Sequence, residues 1–103
     1  MARLILEKEF DPPLTVDLHD REAQRVDPCL EAYGARWIRS VLSSDRRRMI
    51  CEFEAPDAEA VRAAFRSAKV PFARVWSGEV FAPGGGASGG WRERQKARQE
   101  ASR

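Results

Sequence analysis

Ala35–Pro56, ARWIRSVLSSDRRRMICEFEAP, is the stretch on which the fold turns. It reads as two strands joined by a tight polar turn. In the first arm, about Arg36 to Ser43, plain alternation sends Trp37, Arg39 and Val41 to one side and Ile38, Ser40 and Leu42 to the other. In the second arm, about Arg47 to Glu54, Met49, Cys51 and Phe53 share one face, and Ile50, Glu52 and Glu54 share the opposite one. Ser43-Ser44-Asp45-Arg46 suits the turn, because serine and aspartate side chains bond nearby backbone groups. The β-branched and aromatic residues of both arms fit a pleated surface. Neither arm has a wholly polar face, so the sheet is expected to be covered on both sides, by helices on one and by something else on the other.

Upstream, residues 3–10 (RLILEKEF) predict a strand with Leu4, Leu6 and Phe10 on one face. Asp11-Pro12-Pro13 ends it, since proline cannot donate to a ladder. Thr15 or Asp17 can cap a helix that runs to about Tyr33, with Gly34 as its stop. Its helical-period stripe is Val16, His19, Ala23, Val26, Leu30 and Tyr33. Pro28 lies inside the run and predicts a kink near Asp27. Downstream, Asp57 opens a helix to about Ala68 with Val61, Ala64, Phe65 and Ala68 as its apolar stripe. A last strand is expected over about Ala73 to Phe81, interrupted at Gly78.

The order β-α-β-β-α-β predicts an α+β, ferredoxin-like antiparallel sheet with two helices on one face. The opposite face would then expose a set of apolar residues from the hairpin and the last strand, and such a face usually marks an interface. A body of residues 1–82 also gains little from its own core. Both points lead to a homodimer through the open sheet face. Residues 83–103 read as a second region: a Gly-rich linker, GGGASGG, then a basic tail, WRERQKARQEASR.

The chain has 103 residues and a net charge of +2. The charge is uneven. Five basic groups against two acidic ones give residues 83–103 a net +3, which leaves residues 1–82 at −1. A near-neutral body gives no electrostatic reason to expect nucleic acid there. The tail could reach an anionic partner, with Trp91 stacking on it. No apolar run approaches the ~18–20 residues of a membrane span, and MARLILEKEF is not a secretory signal, so no membrane association is expected and the cytoplasm is the expected compartment. Two cysteines, Cys29 and Cys51, suit reduced thiols there.

His19 is the one histidine. It lies within the first helix's apolar stripe, facing any cavity between helix and sheet. Glu22 is about one turn on and near the same face, at the cavity rim, and Cys29 lies on the same flank. Three readings stand side by side. His19, Glu22 and Cys29 could ligate a metal such as nickel or zinc, with Cys51 or a second subunit completing the set. His19 could be a general acid or base oriented by Glu22, acting on a small molecule without a cofactor. Or His19 is a core histidine satisfied by one hydrogen bond. Arg46-Arg47-Arg48 reads as a solvated turn or a phosphate patch. Trp37 and Trp76 could pack in the core or at a dimer contact, or line a ligand pocket.

Several blocks together resemble a known family. They are LILEKEF, LTVDLH, Gly34-Ala35-Arg36-Trp37-Ile38-Arg39-Ser40, Ser44-Asp45-Arg46-Arg47, Cys51 with Phe53-Glu54-Ala55-Pro56, and Ala60-Val61-Arg62. The chain resembles, over about residues 3–82, the family of small proteins named after a streptomycete nickel-binding protein. The resemblance implies a ferredoxin-like subunit of a dimeric α+β barrel. It also implies a nickel site at the dimer surface and a role in metal sequestration. Such sites use imidazole-bearing ligands, and this chain offers His19 alone. Nothing in the resemblance extends beyond Pro83.

Overall fold

The computed structural model describes residues 1–84, 86 and 87. Its elements are β1 (Ala2–Glu9), α1 (Val16–Ala32), β2 (Arg36–Leu42), β3 (Arg48–Ala55), α2 (Ala58–Ala68), β4 (Arg74–Gly78), β5 (Phe81–Ala82) and β6 (Gly86–Ala87). Strands β1–β4 form one antiparallel sheet in the order β2-β3-β1-β4, and β5 pairs with β6 in a small separate ribbon. With two helices, this is the α+β, ferredoxin-like arrangement that the element order predicts.

Alternation decides what faces the helices. From β1, Leu4, Leu6 and Lys8 are buried; from β3, Met49, Cys51, Phe53 and Ala55; from β4, Val75. The helices answer with Val26 and Leu30 of α1 and Val61, Ala64, Phe65 and Ala68 of α2. Phe53 meets Phe65 edge to face with centroids 5.8 Å apart, and Phe65 meets Phe72 at 6.0 Å. Such aromatic pairs add about 0.5–1.5 kcal/mol beyond the area they bury.

The helix ends follow their side chains. Thr15 caps α1 by accepting the Leu18 N–H at 3.2 Å, and Asp57 caps α2 by accepting the Ala60 N–H at 2.8 Å. Gly34 stops α1 at φ 73°, a left-handed position that glycine takes without a Cβ clash. Pro28 does not split α1, which stays one helix from Val16 to Ala32. Val26 and Leu30, buried on either side of the proline, anchor both halves to the sheet. The expected stripe is narrower than its period: Val16 and Tyr33, at its two ends, are exposed, while Glu22 is buried.

The hairpin turn is built by its own side chains. The Ser43 hydroxyl donates to Asp45 at 2.6 Å, Asp45 accepts the Arg47 N–H at 3.0 Å, and Ser43 Oγ accepts the Arg48 N–H, also at 3.0 Å. These bonds hold the Asp45 carboxyl below its ordinary value, that to Ser43 most of all. The turn also carries the β1–α1 connection: Phe10 N–H donates to Arg47 O at 2.8 Å and Leu14 N–H to Arg46 O at 2.9 Å.

One part of the alternation is overturned. The β2–β3 register shifts between Trp37 and Arg39, where Ile38 is an extra residue. Trp37 pairs with Phe53, Ser40 with Cys51 and Leu42 with Met49, so Trp37 joins Ser40 and Leu42 on the helix side. Arg39 and Val41 stay on the other face. A bulge of this kind re-aims a side chain by one position.

The face away from the helices carries Ile5, Val41, Ile50 and Trp76 among paired charges. Val41, Ile50 and Trp76 are 54%, 45% and 45% exposed. Glu52 is paired with Arg3 and, at 3.2 Å, with Arg39; Glu54 is bound by Arg36 at 2.8 Å, which lowers its pKa. The Trp76 indole donates to Glu7 at 2.7 Å, and its ring lies over Gly78, where an added Cβ would sit 3.2 Å from Cζ3. The last strand therefore ends at Gly78, short of the expected Phe81, and Phe81–Ala82 turns back onto Gly86–Ala87 inside the glycine-rich stretch. The basic tail with Trp91 lies outside the described residues.

Candidate functional site

Lys8 is the residue that period-two reading of β1 sends inward after Leu4 and Leu6. Its ammonium meets Glu22 of α1 at 2.6 Å, with the two side chains only 8% and 10% exposed. The Phe10 and Phe65 rings flank the ammonium at 5.4 and 5.9 Å, where aromatic faces attract a cation. A buried charge survives only if paired, so each member of this pair explains the other's position. Glu22 therefore does not sit at a rim. It is drawn under the helix by Lys8.

Lys8 and Glu22 line a cavity of about 40 Å³ between α1 and the sheet, together with His19, Trp37, Ser40 and Cys51. Burial pushes the Cys51 thiol up from its ordinary value of 9.0, and a hydrogen bond with Ser40 partly offsets the effect. Burial thus favours the neutral thiol form of Cys51, which is the poorer nucleophile. The cavity has room for about one water molecule, against ~300–1,000 Å³ for an organic ligand site.

His19 stands at the mouth, its side chain 37% exposed, with Nδ1 3.4 Å from Asp20 Oδ1. It is oriented by Asp20, not by Glu22. His19, Trp37, Ser40 and Met49 also line an open groove of about 400 Å³ outside the cavity, bordered by Leu14, Leu42 and Arg46. The Trp37 indole donates to Ser40 Oγ at 3.0 Å, which fixes the ring that the bulge has turned to this side.

Of the residues expected to ligate metal, His19 and Glu22 reach the same cavity, while Cys29 is partly buried against the core and does not line it. Among the described residues, no three His, Cys, Asp or Glu side chains gather into a group that could hold a metal ion. Sequence reasoning passed over Lys8, although its place in the Leu4-Leu6-Lys8 alternation was the available signal.

A search of curated proteins gives no match. Among solved structures, the crystal structure of SCO4226 from Streptomyces coelicolor A3(2) aligns with a TM-score of 0.70 over 79% of this chain and 100% of that one, at 16% identity. That likeness establishes a shared fold. The family model described as nickel responsive protein SCO4226-like matches residues 5–77, which spans β1 to β4 and includes Lys8, His19, Glu22 and Cys51. The chain belongs to the SCO4226-like family of nickel-responsive proteins.

Proposed function

We propose that the chain is a small homodimeric nickel-binding protein in which nickel is exchangeable cargo met by His19. Membership of the nickel-responsive family is the observation that carries this reading. The donor chemistry of the site sets its character. With Nδ1 directed to Asp20, the free ring nitrogen of His19 is Nε2, and a carboxylate behind a ligating imidazole is the usual way to orient it. Imidazole suits nickel. Glu22 is committed to Lys8 and burial favours the neutral thiol of Cys51, so one chain supplies no closed cage. The arrangement fits an open site that exchanges its metal with water, rather than a buried structural centre.

Dimerisation rests on a separate surface. Val41, Ile50 and Trp76 lie on the face opposite the helices, and His19 lies on the helix side, so the sheet stands between the two. Both cysteines are free thiols, which suits a protein of the reducing cytoplasm. Among the described residues, no helix is long and apolar enough to cross a membrane.

Equilibrium dialysis of untagged protein against nickel tests the metal reading. Saturable binding near one ion per chain, lost in His19→Ala and kept in Glu22→Gln, is expected. Equal binding by wild type and His19→Ala would overturn it. In the acid–base alternative the orienting carboxylate would be Asp20, since Glu22 is bound to Lys8, and the substrate would lie outside the inner cavity, which is too small for it.

A further inference from the structure

We infer that the groove between the start of α1 and the edge strand β2 binds a small organic monocarboxylate with an aromatic or alkyl body. Its volume of about 400 Å³ falls within the range of small-molecule sites, ~300–1,000 Å³. Its walls are apolar: Leu14, Trp37, Leu42 and Met49 line it. Trp37 and Leu42 are 47% and 38% exposed, on an edge strand where such residues have no packing reason to stay open. The Ile38 bulge is what brings Trp37 to this side, and the bond to Ser40 holds its ring as a wall.

Thr15, His19, Ser40 and Arg46 are the polar side chains that line the groove, and the guanidinium of Arg46 is the permanent charge of the groove. Arg46 borders it, and among the described residues its guanidinium makes no ion pair or hydrogen bond. Its neighbour Arg47, by contrast, is taken by Asp11 at 3.3 Å. The Arg46 backbone is fixed, at φ 63° and with its carbonyl accepting from Leu14, so the side chain projects from a rigid point. His19 lines the same groove, and no acidic residue does. A planar guanidinium beside an apolar trough selects a carboxylate over a neutral group, because it can give two parallel hydrogen bonds to it. The ligand's body would lie against Trp37.

The test needs no metal and is run with a chelator present, so its outcome is separate from that of nickel binding. 3-Phenylpropionate and its uncharged counterpart 3-phenylpropanol are titrated into the full chain, and the Trp37 indole N–H is followed by heteronuclear NMR. The carboxylate should shift Trp37, not Trp76, with saturation in the millimolar range, and the alcohol should bind more weakly. Arg46→Asn, which suits a left-handed backbone position, should weaken the carboxylate about tenfold, while Arg46→Lys, which keeps the charge but not the two parallel hydrogen bonds, should retain only part of the affinity. Absence of any Trp37 shift at millimolar ligand overturns the proposal. So does a Trp37 shift that is equal for acid and alcohol, or one that Arg46→Asn leaves unchanged.

Discussion

Replacing Lys8 by methionine would leave the Glu22 carboxylate buried without its counter-charge. Removing one partner of a buried pair costs about 3–5 kcal/mol, whereas replacing both by apolar residues of similar volume is close to neutral. Lys8→Met and Glu22→Leu should each lower the urea midpoint strongly, and the double variant should recover most of the loss. A double variant as unstable as the sum of the singles would show that the two side chains do not form one unit. Cys51 gives a second expectation. Its folded pKa is raised, so the fold favours the neutral thiol. Its contribution to stability is complete below the ordinary value of 9.0 and declines as pH rises toward the folded value. At pH 8, a thiol reagent should label Cys29 quickly and Cys51 slowly, and both should react alike in denaturant. Fast labelling of both in native protein would contradict the buried placement. Lys8 shows where single-residue reading stops. Alternation sends it inward, but a lysine is assigned to solvent unless its partner is known, and that partner lies 14 positions away on another element.

At the scale of elements, the Ile38 bulge separates what period two can show from what it cannot. Alternation in β3 placed Met49, Cys51 and Phe53 together correctly, because that strand pairs without interruption with β1 on its other side. In β2 the same rule put Trp37 with Arg39 and Val41, and the extra residue reversed it. An inserted residue leaves no mark in composition. Deleting Ile38 should make the pairing regular and leave Trp37 opposite Phe53 on the helix side, since Trp37 would then alternate directly with Arg39. The Trp37 indole N–H should stay near its wild-type shift. A move to the solvent-exposed shift in the deletion variant would mean that Ile38 is not the extra residue of the ladder. The first helix shows a related limit. Its period identified Val26 and Leu30 as inward, but whether His19 or Glu22 lies deepest depends on rotation about the helix axis. The pull of Lys8 on Glu22 settles it.

At the scale of the molecule, the β-α-β-β-α-β order was legible because caps, stops and turn residues stand at nearly every boundary: Thr15, Gly34, Asp45 and Asp57. The functional site was less so, since it is assembled from β1, α1, β2 and β3 across most of the sequence. The open sheet face predicts association. Sedimentation equilibrium at micromolar concentration should give twice the chain mass, and Ile50→Glu, which sets a charge beside Glu52 and Glu7 on that face, should shift the protein to monomer while leaving the helix-side cavity intact. A wild-type monomer would refute the dimer. Nickel binding is tested most directly by the chain's one imidazole. Nickel is paramagnetic and broadens only nearby protons, and His19 gives a single set of ring signals in the proton NMR spectrum. On titration with nickel, those signals should broaden first, with the neighbouring Asp20 next, while Cys29 protons stay sharp. His19 signals that remain sharp when nickel reaches saturation would contradict it.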